Sequence, residues 1–340
     1  MKFAFRASAL AVAACLAAPA QADFSVSPRF FLYFDNASQR SSGFDDIHEL
    51  TGQTDAELSD LFTDFYGTPV DVETVNVTSA GINNQQVYPL FGGAFTMGLD
   101  KENRTQITFS ALYGEANSDF KTLQTMEQDV TVLGFTAHDL ITTHMEGDVK
   151  SKRLDLELSL QHRLNERFAL LGGLRYERIE SDADMDYRNL SSSNAANIFS
   201  VLFGDGSLLI DLYDFEGTMT SKVTDDILSA RFGGAAFANL NQRNMVYLNG
   251  LLHITHAFDT TGKGRLVVPE ADIDDKYEVD IEGETAIGPD ISVGYVHRFT
   301  DTIGLDVRYR AIVYFPVAGP RDFDDPRVNH GVNAGLTFNF

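Results

Sequence analysis

Charged side chains at alternate positions are the first sign of chemistry in this chain. Arg153, Asp155 and Glu157 are spaced two apart, as are Arg175 and Glu177, and Asp306, Arg308 and Arg310. Arg29 and Arg231 stand singly in similar surroundings. At a spacing of two, guanidinium and carboxylate groups share one face of an extended strand. There they can pair with one another, line a water-filled passage, or exchange protons with a substrate.

Other groups suit metal or acid–base chemistry less well. His138 and Asp139 are adjacent, and His144, His253 and His256 follow. His253 and His256 are three apart, which in a strand puts the rings on opposite faces, so a regular strand cannot turn both to one ion. Acidic residues crowd 270–284, with Asp272, Asp274, Asp275, Glu278, Asp280 and Glu282, and again at Asp322, Asp324 and Asp325. Carboxylates suit Ca²⁺ or Mg²⁺, but no loop has the spacing and central glycine of an EF-hand. These stretches are expected to be solvated loops, with at most diffuse divalent cations. No catalytic residue, defined metal site or cofactor is expected, and no phosphate loop or dinucleotide fingerprint is present.

The elements carrying these charges alternate with period two. Leu154, Leu156, Leu158 and Leu160 interleave with Arg153, Asp155, Glu157 and Ser159. Phe168, Leu170, Leu174 and Tyr176 oppose Ala169, Leu171, Gly173, Arg175 and Glu177. Leu305, Val307, Tyr309, Ala311 and Val313 oppose Asp306, Arg308 and Arg310. This is the pattern of strands with one apolar and one polar face. Ten such segments are readable: about 24–34, 87–99, 105–113, 153–163, 168–177, 227–240, 245–257, 290–299, 303–315 and 332–340. Pro28, Pro89 and Pro289 each remove a ladder donor, so bulges or strand ends are expected there. Tight polar turns at 100–103, 164–166, 241–244 and 300–302 alternate with long acidic connections at about 36–86, 117–147, 183–222, 260–283 and 317–329. Extra hairpins at 129–144 and 265–281 would either extend the sheet or raise the strand number to twelve. Helical spacing over 54–65 and 194–203 predicts short helices in two connections.

Composition bounds what the chain can be. Of its 340 residues 44% are hydrophobic, with a mean hydropathy of -0.13. No apolar run approaches the roughly 20 residues of a spanning helix. The net charge of -23 argues against nucleic acid as a partner, which needs clustered Lys and Arg. At the N-terminus, Lys2 and Arg6 precede an apolar run from Ala9 to Ala18, and Ala20-Gln21-Ala22 has the form of a cleavage site. Residues 1–22 are therefore expected to be a secretory signal, leaving 23–340 as one domain without cysteine. Val12-Ala13-Ala14-Cys15 is a competing lipoprotein box, but the apolar run continues past it.

The last segment, Val332, Ala334, Leu336, Phe338 and Phe340 alternating with Asn333, Gly335, Thr337 and Asn339, closes on an aromatic residue. It resembles the C-terminal assembly signal of bacterial outer-membrane β-barrels, and the signal segment and strand rhythm share that resemblance. The resemblance implies that Phe338 and Phe340 address the barrel-assembly machinery. The expected fold is an all-β, antiparallel up-and-down transmembrane barrel of ten strands, with short periplasmic turns and long extracellular loops. Its partners would be outer-membrane lipid, lipopolysaccharide and small solutes.

Strand orientation follows from solvent. Placing Asp306, Arg308 and Arg310 outward would put charge in hydrocarbon, at about 2–4 kcal/mol for an Arg near the midplane. They are expected inside, with Arg29, Arg153, Asp155, Glu157, Arg175, Glu177 and Arg231. Ten strands give a backbone radius of only about 10 Å, so long side chains from opposite walls nearly meet. Two readings follow: a rigid, salt-bridged interior, or a thin mixed-charge pore of porin type, in which Arg175, Arg308 and Arg310 would set selectivity. A surface adhesin or ligand-binding barrel acting through its loops is the alternative. Ten-stranded outer-membrane proteases use acidic and Asp–His pairs at the outer rim. Asp45-Asp46 and His138-Asp139 are similar only in residue type, so a rim hydrolase is the remoter expectation.

Overall fold

The structure, a computed structural model, describes residues 24–35, 59–60, 63–64, 68–82, 86–192, 216–268, 273–318 and 327–340. The strands are β1 (Phe24–Asp35), β2 (Val70–Ile82), β3 (Gln86–Gly98), β4 (Thr105–Val132), β5 (Phe135–Arg163), β6 (Phe168–Ser192), β7 (Glu216–Asn239), β8 (Asn244–Val268), β9 (Ile273–Glu282), β10 (Thr285–Arg298), β11 (Ile303–Ala318) and β12 (Arg327–Asn339). Ten of them close a barrel. The order β10-β11-β12-β1-β3-β4-β5-β6-β7-β8 returns to β10 through its antiparallel pairing with β8. Closure satisfies every strand edge at the level of these ten strands, which hydrocarbon demands because it offers no hydrogen bonds. The C-terminal strand is the closing stave: β12 pairs β11 on one side and β1 on the other. The Phe340 amide donates to the Phe24 carbonyl at 2.9 Å, and the two rings stack at 5.1 Å.

β2 and β9 add no staves. β4 pairs β3 from Gln106 to Tyr113 and β2 from Lys121 to Val132, so β2 continues β3 upward. β8 pairs β10 up to His256 and β9 from Asp259 onward, so β9 continues β10. Above the level of β1, β10, β11 and β12 the barrel therefore becomes an open sheet, β2-β4-β5-β6-β7-β8-β9. Its longest strand has 29 residues. At the usual rise and tilt that strand stands roughly 70 Å tall, well over twice the apolar band of an outer-membrane barrel.

The hairpins expected at 129–144 and 265–281 belong to this extension, and neither adds a stave. Most of 117–147, read as a loop, is β4–β5 ladder that turns at Leu133 and Gly134. Both turn residues have positive φ, 50° and 82°, as a two-residue hairpin requires. Much of 183–222 and 260–283 is likewise strand. Strict alternation is lost in these stretches for a physical reason: with water outside, the outer face is polar, and the buried face mixes Val130, Met185 and Val223 with Gln128, Ser181 and Ser221. Helical turns occur at 59–60 and 63–64, inside the expected 54–65 helix. Ser59 and Thr63 hydroxyls accept from the Val72 and Val70 amides at 2.9 and 3.0 Å, which caps the edge of β2. The segments 36–58 and 194–203 lie outside the described residues.

The proline expectation needs correcting. The ladder runs past Pro28, Pro89 and Pro289 with unshifted register, while the irregularities fall at 74–76, 226–227 and 285–286. A proline costs its strand one donor but need not change its alignment.

The short turns share one device, a side-chain oxygen that gathers backbone amides. The Asp100 carboxylate accepts from the Glu102, Arg104 and Thr105 amides at 3.2, 2.8 and 2.7 Å. Hydrogen bonding from Thr105, then from these amides, holds its carboxyl below the usual range. Asn165 accepts from Arg167 and Phe168, Asn241 from Arg243 and Asn244, and Thr300 from Thr302 and Ile303. This is why Asp, Asn and Thr stand where the strands turn.

Outward side chains over the lower part of the strands are apolar and exposed. Leu158, Leu170, Phe232, Leu248, Val293, Tyr309 and Leu336 are among them. An apolar surface running round a whole barrel faces hydrocarbon. The β8–β9 pairing is directly testable. Oxidation should cross-link Lys263→Cys with Glu278→Cys, which face each other in register. It should not cross-link Lys263→Cys with Lys276→Cys. Equal cross-linking of both pairs on a non-reducing gel would refute the register.

Candidate functional site

All ten charges placed inside from sequence lie on the lumen face. They do not line an open passage. Two bidentate clamps face each other across the barrel. On β5 and β6, Arg175 Nε and Nη2 donate to Asp155 at 3.0 and 2.6 Å. On β10 and β11, Arg310 Nε and Nη2 donate to Asp290 at 2.9 and 2.6 Å. The geometry of the two clamps is the same. Arg175 is registered against Glu157 and reaches the residue two further up β5, and Arg310 is registered against Ser292 and reaches two further up β10.

Further ion pairs extend each clamp. Glu157 accepts from Arg231 at 2.6 Å and from Arg310, on the opposite wall, at 3.3 Å. Arg231 also donates to Asp290 at 3.1 Å. Glu177 binds Arg175 at 3.0 Å and pairs with Arg153. Arg153 crosses to β1, donating to the Tyr33 hydroxyl at 2.8 Å with its guanidinium 3.9 Å from that ring's centre. The result is a belt of two ion-pair networks, one reaching from β6 and β5 to β1 and the other from β5 across to β7, β10 and β11.

Water scarcely reaches the belt. Arg175 is 0% exposed, Arg153, Glu177 and Asp290 are 1%, and Arg310 is 5%. Beside it, Tyr33, Tyr88, Leu90, Phe31 and Leu112 form a buried cluster on β1, β3 and β4. His253 is fully buried against Tyr314, ring centres 5.0 Å apart, on the other wall. A conducting lumen would leave such side chains wet, so the barrel is closed at this height.

Arg29, Asp306 and Arg308 lie lower, on the periplasmic side of the belt. Asp306 accepts from the Tyr247 hydroxyl at 2.8 Å. The Tyr247 ring lies over Gly294, where any Cβ would sit 2.2 Å from the ring. Nearer the short turns Thr96, Thr108, Ser159 and Gln161 are half-buried, so the lower lumen is a water-accessible vestibule.

The histidine candidates are scattered. His138 pairs with Asp129 at the exposed tip of the β4–β5 hairpin, while Asp139 is buried on the opposite face. His256 is exposed and bonds the Thr285 hydroxyl at 2.9 Å, away from His253. Asp45 and Asp46 lie outside the described residues. Among the described residues no three His, Cys, Asp or Glu side chains gather as metal ligands would. Sequence reasoning missed Tyr33 and Tyr88. Their inward direction was available from the alternation in β1 and β3, but a tyrosine on a polar face gives no sign of which arginine it meets.

No known protein family matches the chain, and no curated protein does. Solved structures give likenesses of fold. The outer membrane protease OmpT from Escherichia coli is 12% identical over 94% of this chain and 96% of its own, with a TM-score of 0.39. The translocator domain of the autotransporter NalP from Neisseria meningitidis is 7% identical over 99% and 95%, with a TM-score of 0.34. An outer membrane channel from Pseudomonas putida F1 is 12% identical over 95% and 97%, with a TM-score of 0.30. At these identities and scores the likenesses carry no argument about activity. The closed barrel and its lipid-facing band make the chain a bacterial outer-membrane β-barrel.

Breaking the belt should cost stability in a particular pattern. Arg175→Met leaves Asp155 buried without its cation, and should destabilise by about 3–5 kcal/mol. Arg175→Met with Asp155→Leu removes the clamp's buried charge while Glu177 keeps Arg153, and should recover most of that loss. Urea unfolding in lipid vesicles, read by heat-modifiable gel migration, distinguishes the two. Equal stability of the single variant and the parent would show that the clamp contributes nothing.

Proposed function

We propose that this protein is a non-conducting outer-membrane anchor that presents its tall acidic sheet as a binding surface for cationic partners. The observation that carries this reading is the belt. Most of the charges suited to a thin pore are tied into buried ion pairs, while β4 to β8 run far beyond any bilayer. A barrel built for passage needs neither feature. A binding role also suits the chemistry better than hydrolysis, because most of the buried titratable groups are tied to one another and the His138–Asp129 pair is at an exposed hairpin tip, away from them.

Charge supports the choice of partner. The lipid-level and periplasmic segments are nearly balanced, whereas the described strands above the closed barrel carry more carboxylates than cations. Many cations of the extension are engaged in exposed cross-strand pairs: Lys121 with Glu146, Lys222 with Asp182, Arg188 with Glu216, Lys263 with Glu278 and Arg265 with Asp274. Lys121 holds the Glu146 carboxyl below its ordinary range, and Arg265 does the same to Asp274. The surplus that faces solvent is carboxylate. At the tip, Leu133 and Phe135 are 62% and 59% exposed, which adds an apolar contact to an acidic surface.

The test uses vesicles carrying the full chain beside a version trimmed above the belt, with 119–148 and 184–220 replaced by short turns. The full chain should capture a fluorescent cationic polypeptide, with capture weakening as salt rises. The trimmed chain should still migrate as a folded barrel and lose most of the capture. Equal capture by both would reject the extension as the binding surface.

A further inference from the structure

The belt accounts for four of the interior arginines and leaves two. Arg153, Arg175, Arg231 and Arg310 pair with Asp155, Glu157, Glu177 and Asp290. Arg29 and Arg308 make no ion pair within 4.0 Å among the described residues; Asp306, a carboxylate of the same wall outside the belt, accepts from Tyr247. The Arg29 guanidinium instead faces Arg308 as a like charge, with Asp306 and Glu157 as the opposite charges and Tyr247 beside them. Two guanidinium groups thus share this wall with a single carboxylate outside the belt.

Other polar groups converge on the same wall. Asn333, on β12, is registered against Arg308 on one side and Phe31 on the other, and is 1% exposed. Neither its amide nitrogen nor its oxygen has a hydrogen-bond partner. Ser27 Oγ, Arg29 Nε and Arg308 Nε are also buried without one. Ser27 and Arg29 lean over Gly335, where a Cβ would lie 2.8 Å from the serine oxygen and 3.1 Å from the arginine Cγ. A side chain there would push them off the wall. Unmet donors this deep are costly unless something accepts from them.

We infer that Arg29, Arg308, Asn333 and Ser27 form a binding site for a small oxyanion, a carboxylate or phosphate, that enters from the periplasmic vestibule. The chemistry is specific. Two guanidinium groups offer forked donors to a planar or tetrahedral oxyanion, and the amide and hydroxyl add single donors. The anion balances the like charges. The belt seals the route from outside and the hydrogen-bonded wall excludes lipid headgroups, so the ligand is a free anion reaching the half-buried polar lining from below. The site is independent of the surface role proposed above.

The test is equilibrium dialysis of the folded mature chain, in a detergent without phosphate, against radiolabelled inorganic phosphate in excess chloride. Saturable binding of one phosphate per chain is expected. It should weaken by about tenfold or more in Arg29→Gln with Arg308→Gln, and measurably in Asn333→Ala. Arg243→Gln, at an exposed periplasmic turn, should bind as the parent does. Absence of saturable binding, displacement by chloride in proportion to ionic strength, or equal binding by the parent and the substituted chains would overturn the assignment. If the double arginine variant fails to fold, Asn333→Ala against Arg243→Gln decides alone.

Discussion

Arg175 with Asp155, and Arg310 with Asp290, hold charge in a place where charge is expensive. Each ion loses several kcal/mol of hydration when the barrel closes over it, and only close, forked geometry with further partners returns that loss. The belt supplies those partners through Glu157, Glu177, Arg153 and Arg231. Everything else in the lower barrel is arranged to permit it. Ten strands make the lumen narrow enough for β5 to reach β11 through Glu157 and Arg310. Gly294 leaves room for the Tyr247 ring on the inner wall. The apolar outer faces keep lipid against the wall, so the interior is the one place these charges can go.

Much of this was legible in the sequence, and the boundary of what was legible has a physical cause. Within the bilayer, lipid on one side and polar groups on the other enforce strict alternation, so Leu154 to Leu160 and Leu305 to Val313 announce both the strand and its direction. The tight turns are equally plain, because Asp100, Asn165, Asn241 and Thr300 are chosen for capping amides. Above the bilayer that constraint ends. β4 continues to Val132 with a polar outer face and a buried face that mixes Ala116, Val130 and Val132 with Gln128, and hydropathy reads it as loop. The ladder there is held by backbone hydrogen bonds and exposed pairs such as Lys263–Glu278, which leave almost no periodic trace.

The site was legible in membership but not in connection. Alternation says that Arg153 and Glu177 face inward, because that is a property of one strand at a time. Whether Arg310 meets Glu157 depends on strand number and stagger around the barrel, which no local window contains. The same limit hid Tyr33 as the partner of Arg153. It also left a mixed-charge pore and a salt-bridged interior as equal descriptions of one set of residues, until closure brought opposite walls within reach.

The most direct test of the closed belt is single-channel recording of the folded mature chain in a planar bilayer, beside a variant carrying Glu157→Ser, Asp290→Ser and Arg310→Ser. The parent should show no conductance steps, and the variant should conduct once the links between opposite walls are gone. Steady, ion-selective conductance in the parent would contradict the account, because ions would then be crossing a layer in which Arg175 and Glu177 are almost wholly shielded from water.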